Sequence, residues 1–329
     1  MKKKFAVLVC LILTLCCALV GCSNSYKKLP TKGNKFVLDN SWKMTFCDDF
    51  DSVNLDNWKV NTMPDNKNIR RAGIYTDSSD VLFANGGNLF IRTLYKTSAA
   101  GTGWHTSWLE SSVVKGEAST TNPDYTGLSQ TYGYFEIRCK VPASVGIWSA
   151  FWMMPDGAKG MTQNDELNTG HDGLEVDIME SPYMYNKVKN LNTHVAHGDG
   201  YGDNLKSDKS DTYKVPNMYT EFHTYALEWN ADEYIFYIDG FETYRTKYVQ
   251  RDEKGNITKT LGVSQVAEYL ILSVEVAGCE KDGALVPGKT FNSATGEFED
   301  FWCGNPDTND KSKSYDFVID YVKAYQKVK

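Results

Sequence analysis

"GLEVDIMES", residues 173–181, sets three carboxylates into six positions: Glu175, Asp177 and Glu180. The steps between them are two and then three. On an α-helix, at about 100° per residue, the three acids scatter around the axis. On a strand, whose side chains alternate, Glu175 and Asp177 share one face while Val176 and Ile178 take the other. A regular strand then turns Glu180 away from its two companions. One extra residue, a β-bulge at about Ile178–Met179, returns Glu180 to the acid face. The stretch therefore reads as a bulged strand carrying three acids on one side.

The sequence on either side agrees with a strand reading. "NLFIRTL" (88–94), "YGYFEIRCKV" (132–141), "GIWSAFWMM" (146–154), "EFHTYALEW" (221–229), "EYIFYID" (233–239), "EYLILSVEV" (268–276) and "YDFVIDYVKAY" (315–325) are rich in Tyr, Phe, Val, Ile and Trp. Turn signals separate them, among them Asn85-Gly86-Gly87-Asn88 and Asp239-Gly240. No window of a dozen residues shows helical amphipathicity. The expectation is an all-β protein, a β-sandwich of one domain from residue 41 to 329. Three polar stretches, 155–172, 198–220 and 279–313, read as long loops that shape a site.

Three acids on one face repel one another and raise each other's pKa values. A solvated strand face gains nothing from that, whereas glycoside hydrolysis does. A retaining mechanism needs an ionised carboxylate as nucleophile and a protonated carboxyl as acid, roughly 5–5.5 Å apart. A third acid between them hydrogen-bonds the nucleophile and helps to order the ionisations. Residues four steps apart on a straight strand lie roughly 13 Å apart, so the strand must curve or its side chains must lean together. A curved sandwich with a concave substrate cleft meets that need. Trp148 and Trp152 share a face of the strand just upstream, and indole rings stack on the CH-rich faces of sugars. A core aromatic pair is the plainer alternative for them. "NTHVAHGDGYG" (192–202) follows on the next expected strand. It brings His194 or His197 beside the acids, to bond either a carboxylate or a sugar hydroxyl.

The ends of the chain indicate the compartment. Lys2, Lys3 and Lys4 lead into an apolar run from Phe5 to Val20, short for a membrane span and suited to a secretory signal. The run ends Leu19-Val20-Gly21-Cys22, which resembles the lipobox of bacterial lipoproteins, where cleavage precedes a Cys that is then lipidated. Residues 1–21 are thus expected as a signal peptide, Cys22 as the lipid-carrying residue, and 22–40 as a polar, lysine-rich tether. The location implied is extracytoplasmic, anchored to the bacterial cell membrane or outer membrane. Without the leader, 32 basic residues face 42 acidic ones. That balance argues against nucleic acid and, weakly, against strongly anionic polymers. Export permits disulfides among Cys47, Cys139, Cys279 and Cys303, with three pairings open; no CxxC spacing suggests zinc.

With these motifs in place, the chain resembles glycoside hydrolase family 16, the laminarinase, lichenase, agarase and carrageenase group. The likeness rests on "TYGYFEIRCKVP" (131–142), "GIWSAFWMMP" (146–155), "LEVDIME" (174–180), "FHTYALEWNADEYIFYIDG" (222–240) and "FVIDYVKAY" (317–325). The six-residue E-x-D-x-x-E form is similar to that of laminarinases and agarases; lichenases lack the extra residue. The resemblance implies a concanavalin A-like jelly roll, retention of configuration and endo cleavage. It implies Glu175 as nucleophile, Glu180 as acid/base and Asp177 as auxiliary acid, with Trp148 and Trp152 binding sugar on the glycone side. No cofactor is implied for catalysis. A structural calcium is implied away from the cleft, with Asp49, Gly87 and Asp320 at the matching places. Ser149, Ser181-Pro182 and Arg70-Arg71 depart from the laminarinase pattern. The expected substrate is a β-1,3- or mixed-linkage β-glucan, with a β-galactoside-containing polymer or host glycan as the alternative. A non-catalytic carbohydrate-binding lipoprotein on the same fold is a second alternative, and the chain is expected to be a monomer.

Overall fold

The computed structural model describes residues 27–63, 68–111, 127–155, 169–182, 193–198 and 205–328; the side chains of 182, 193–198 and 205–206 lie outside that description. Residues 1–21, expected as a signal peptide, and Cys22 also fall outside it. The main strands, in chain order, are β1 (Trp42–Asp48), β2 (Leu89–Ser98), β3 (Gly101–Thr106), β4 (Trp108–Glu110), β5 (Gly133–Lys140), β6 (Ile147–Pro155) and β7 (Glu175–Pro182). They continue with β8 (Thr193–Gly198), β9 (Leu205–Lys209), β10 (His223–Trp229), β11 (Tyr234–Ile238), β12 (Phe241–Thr246), β13 (Glu268–Val276) and β14 (Ser314–Lys327). The described residues hold no α-helix.

Two sheets stack as the sandwich the alternation implies. The inner sheet runs β9-β8-β7-β6-β13-β4, ending on the short strand 59–60. The outer sheet runs β12-β11-β10-β5-β14-β2-β3 and continues into 73–75, which is parallel to β3, and 69–70; β1 flanks β14. The core lies between them. Phe135, Ile137 and Cys139 of β5, Leu227 of β10 and Phe317 and Ile319 of β14 face Phe151 and Met153 of β6 and Leu272 and Val274 of β13, all fully buried. Each strand therefore spends one face on this core and leaves the other to line a surface of the sandwich. The fold is an all-β jelly roll, as the sequence implied.

Two expectations need correction. The polar tether was expected to run to residue 40, yet residues 27–40 lie against the outer sheet. Lys27 and Lys28 pair in parallel with Tyr213 and Lys214, and the Phe36 ring stacks on Tyr134 at 4.4 Å. Leu29 packs on the core, and Phe36 and Leu38 cover the outward patch of Tyr134, Ala226 and Tyr237. Three apolar side chains among lysines suffice to dock the segment, because the outer sheet offers apolar surface there. Secondly, 279–313 is not a loop. It holds the hairpins Gly278–Lys281/Ala284–Pro287 and Lys289–Asn292/Glu297–Asp300, then a turn at Pro306–Thr308. The first hairpin turns through Asp282-Gly283, both at positive φ (54° and 80°), the backbone that an Asp-Gly pair favours between twisted strands. The four cysteines Cys47, Cys139, Cys279 and Cys303 are free thiols.

Candidate active site

The site is built on the outward face of the inner sheet. Phe151 of β6 pairs with Met179 and Trp152 with Asp177, so β7 inserts Ile178 as an extra residue. On its other edge Asp177 pairs with Val195 and Glu180 with Thr193, three steps against two. The bulge thus sits at Ile178–Met179, where the acid spacing predicts it. Val176, Ile178 and Met179 are all fully buried in the core. Two consecutive side chains point inward at the bulge, which leaves Glu175, Asp177 and Glu180 together on the cleft face. Asp177 is buried between two partly exposed glutamates.

The floor beside the acids is low. Ala150 pairs with Glu180 on one side and Ser273 on the other, while Trp152 pairs with Asp177 and Ile271. Trp152 donates its indole N–H to Ser273 Oγ at 3.0 Å and meets the Trp108 ring edge-on at 5.2 Å. It is 6% exposed, a wall packed on Trp108 with Tyr75 behind it. Trp108 in turn donates to Glu110 Oε1 at 2.9 Å, which also accepts from Asn61 Nδ2. Trp148 is covered further, at 4% exposed. Phe301 stacks on it at 5.7 Å, Trp302 sits at 5.5 Å, and the Arg71 guanidinium lies over its ring. Trp302 itself is 53% exposed, and presents the open aromatic face at this end of the cleft.

An arginine pair closes that end. Glu275, buried on the cleft face of β13, receives Arg71 Nε at 2.9 Å and has Arg70 Nε at 3.6 Å. Arg70 also lies over Trp108 at 4.6 Å. Arg71 holds φ at 58°, a strained backbone for a side-chain-bearing residue. Segment 301–309 is locked here by Gly146 N–H to the Cys303 carbonyl at 3.1 Å. Gly146 is at φ 68°, and a Cβ there would stand 2.6 Å from Pro306 N, so only glycine fits. Burial pushes the Cys303 thiol well up, and the charges of Glu275 and Glu180 add to that. The segment is therefore within electrostatic reach of the Glu180 end.

The remaining expected residues are placed as follows. His197 pairs through its backbone with Glu175; the side chains of His194 and His197 are outside the described residues. Asp49 and Gly87 fall near Asp320, in the middle of β14, since Asp48 pairs with Val322 and Leu89 with Ile319. The Asp49 carboxylate bonds Lys323 at 3.2 Å and that of Asp320 bonds Arg138. Among the described residues no third His, Cys, Asp or Glu joins Asp49 and Asp320 in a group that could hold a metal ion. As placed, both carboxylates make ion pairs. Tyr75, Trp108, Glu110, Glu275 and Trp302 were missed by sequence reasoning. Glu275 had a signal, as the lone charge in the apolar run 269–276.

Behind the acid strand, Glu268 Oε1 accepts the Leu174 N–H at 3.1 Å, one residue before Glu175. Burial pushes its carboxyl up to about 8 against weaker opposing bonds from Ser264 and Leu174. Because the folded value lies above the unfolded one, folding takes up a proton between about pH 4.5 and 8. Stability from this group is complete below that window and is lost as pH rises through it. In Glu268→Gln the loss disappears. Thermal melts should coincide near pH 4.5, with the variant melting several degrees higher at pH 8; a constant difference across pH would sink this account.

Comparison with known proteins places the fold. Residues 117–267 match the family model for glycosyl hydrolases family 16. A β-glucanase of Rhodothermus marinus is 27% identical over 202 residues, which are 60% of this chain and 58% of the relative. The chain thus spans little more than half of that relative's length. The solved structure of SCLam, a non-specific endo-β-1,3(4)-glucanase, superposes with TM-score 0.59 at 21% identity, covering 90% of this chain and 95% of the other. A structure described under endo-acting O-glycanases that human gut bacteria express to initiate mucin breakdown does so at 0.58 and 21%, covering 88% and 92%. At such identity these likenesses establish a shared fold, and both substrate classes sit on it equally well.

Proposed function

We propose, from the match of residues 117–267 to the family model for glycosyl hydrolases family 16, that the chain is an endo-acting, retaining glycoside hydrolase of a β-linked polysaccharide. One observation carries the reading: the bulge at Ile178–Met179, which keeps Glu175, Asp177 and Glu180 on the cleft face while their neighbours enter the core. In this reading Glu175 attacks the anomeric carbon. Glu180 protonates the leaving oxygen and then deprotonates the incoming water. Asp177, buried between them, bonds the nucleophile and keeps the two ionisations apart. The open sheet face suits endo cleavage, because a chain can lie across it without threading an end.

The first substrate is a β-1,3- or mixed-linkage β-glucan. The second, a β-galactoside-containing polymer or host glycan, draws on Arg71 at the rim, a cation next to an exposed Trp302. Cys22, acylated after removal of 1–21, anchors the enzyme outside the cytoplasm. The decisive assay incubates the protein with laminarin, barley β-glucan, lichenan, agarose and mucin glycans and measures new reducing ends. Cleavage of the glucans alone is the expected result. Release from mucin or agarose alone selects the second substrate. Binding with no new ends on any polymer would make the chain a carbohydrate-binding protein.

A further inference from the structure

The opposite face of the sandwich carries a feature the chemistry of the cleft does not use. A groove of about 1290 Å³ lies between the docked segment 28–35 and the outer sheet. Its walls bring together Lys28, Lys32, Lys35, Lys214 and Arg138. The four lysines are exposed and make no ion pair among the described residues. Acids near the groove are already engaged: Asp239 with His223 at 2.8 Å, Asp320 with Arg138, and Asp211 with Lys27. Phe222 and Phe241 line it as well, and the cations of Arg138 and Lys35 lie over their rings. A chain with net charge −7 has thus gathered unpaired positive charge beside aromatic surface on one face.

The position of that face follows from the chain itself. Arg138 points away from the core, since Ile137 and Cys139 on either side of it are buried between the sheets. The groove and the acid cleft therefore occupy opposite faces of the sandwich. Five residues separate Cys22 from Lys28, and six fully extended steps span at most about 20 Å. An acyl group on Cys22 would keep the Lys28 end of the groove within that distance of the bilayer.

Resting on the lipid-anchor reading above, we propose that the groove is a docking surface for the anionic phospholipid headgroups of the membrane that carries the anchor. Lysines approach the phosphates while Phe222 and Phe241 meet the interface, and the cleft turns outward toward polymer. Each cation near an anionic surface multiplies binding roughly fivefold, and the attraction fades beyond a Debye length of about 10 Å.

The test uses the mature chain from residue 22 with Cys22→Ser, so that no acyl chain contributes. It is sedimented with vesicles of phosphatidylcholine alone and of phosphatidylcholine with phosphatidylglycerol. The expected result is binding to the anionic vesicles only, released by high salt. It should weaken about a hundredfold or more when Lys28, Lys32, Lys35 and Lys214 are changed to Glu. Reversing Lys281 and Lys289, in the hairpins beside the cleft, should leave it unchanged. Because all six lysines are accessible on the surface, melting temperatures verify that the variants fold, and single reversals serve if the quadruple one does not. Equal sedimentation with both vesicle types, or a quadruple variant that binds as well as wild type, overturns the proposal. So does binding to chondroitin sulfate with none to vesicles, which would give the groove to a polyanionic glycan. Incorporation of labelled palmitate at Cys22 is scored separately in cells. Vesicle binding without labelling sinks only the anchor; labelling without vesicle binding sinks only the docking face.

Discussion

Glu175→Gln lowers hydrolysis of the preferred polysaccharide by on the order of 10⁴-fold or more, with the fold and binding retained. The amide cannot attack an anomeric carbon, and the change adds no volume to a partly exposed position on β7. Glu180→Gln behaves differently, because the two residues work at different steps. On polysaccharide it also loses about 10²–10⁴-fold, since the leaving sugar oxygen must be protonated. On an oligosaccharide with an aryl leaving group the first step survives, because a phenolate departs without a proton. The second step then lacks its base, and azide, a nucleophile that needs no deprotonation, restores turnover as a glycosyl azide of retained configuration. Normal cleavage by either variant on polysaccharide would remove the acids from their roles. Inverted azide product would mean direct displacement in an enzyme that has lost its nucleophile, and would exchange the roles of Glu175 and Glu180.

The bulge was legible in the sequence because strand parity is a hard constraint. A period of two cannot place residues 175, 177 and 180 on one face, and one extra residue is the smallest repair. Alternating apolar runs also made the sandwich legible, since each strand must bury one face. What covers the cleft was not legible. Trp148 was read as a sugar platform, yet Phe301 and Trp302 lie on it. Their position depends on hairpins 278–300, whose exposed, charged strands look like loop composition. The strand Glu297–Asp300, for example, is exposed at every residue. The Asp282-Gly283 pair is a local sign of a hairpin there. Residues 27–40 misled for the opposite reason: lysines set the composition, while Leu29, Phe36 and Leu38 set the packing.

Arg70 and Arg71 show the limit of local reading most clearly, because their partner Glu275 stands 204 residues downstream of Arg71. The Glu275 side chain is 8% exposed and sits between two guanidinium groups. Arg70→Met/Arg71→Met removes both cations and leaves a carboxylate in a place that water barely reaches. Breaking a buried pair from one side costs about 3–5 kcal/mol; with the Arg71 side chain 43% exposed, about 2–4 kcal/mol is the fitting expectation. That lowers the melting temperature by roughly 3–6 °C in a domain of this size. Adding Glu275→Gln should recover most of the loss, because the stranded charge, not the lost contact, dominates it. If the triple variant melts as low as the double one, the arginines stabilise by packing on Trp108, Trp148 and Phe301 instead. The folded triple variant also separates structure from chemistry. Without a guanidinium over Trp148 and Phe301, the cover of the cleft end loosens, so KM should rise while kcat holds. A fall in kcat at unchanged KM would put Arg71 at the reacting atoms, next to Glu180, rather than at the rim.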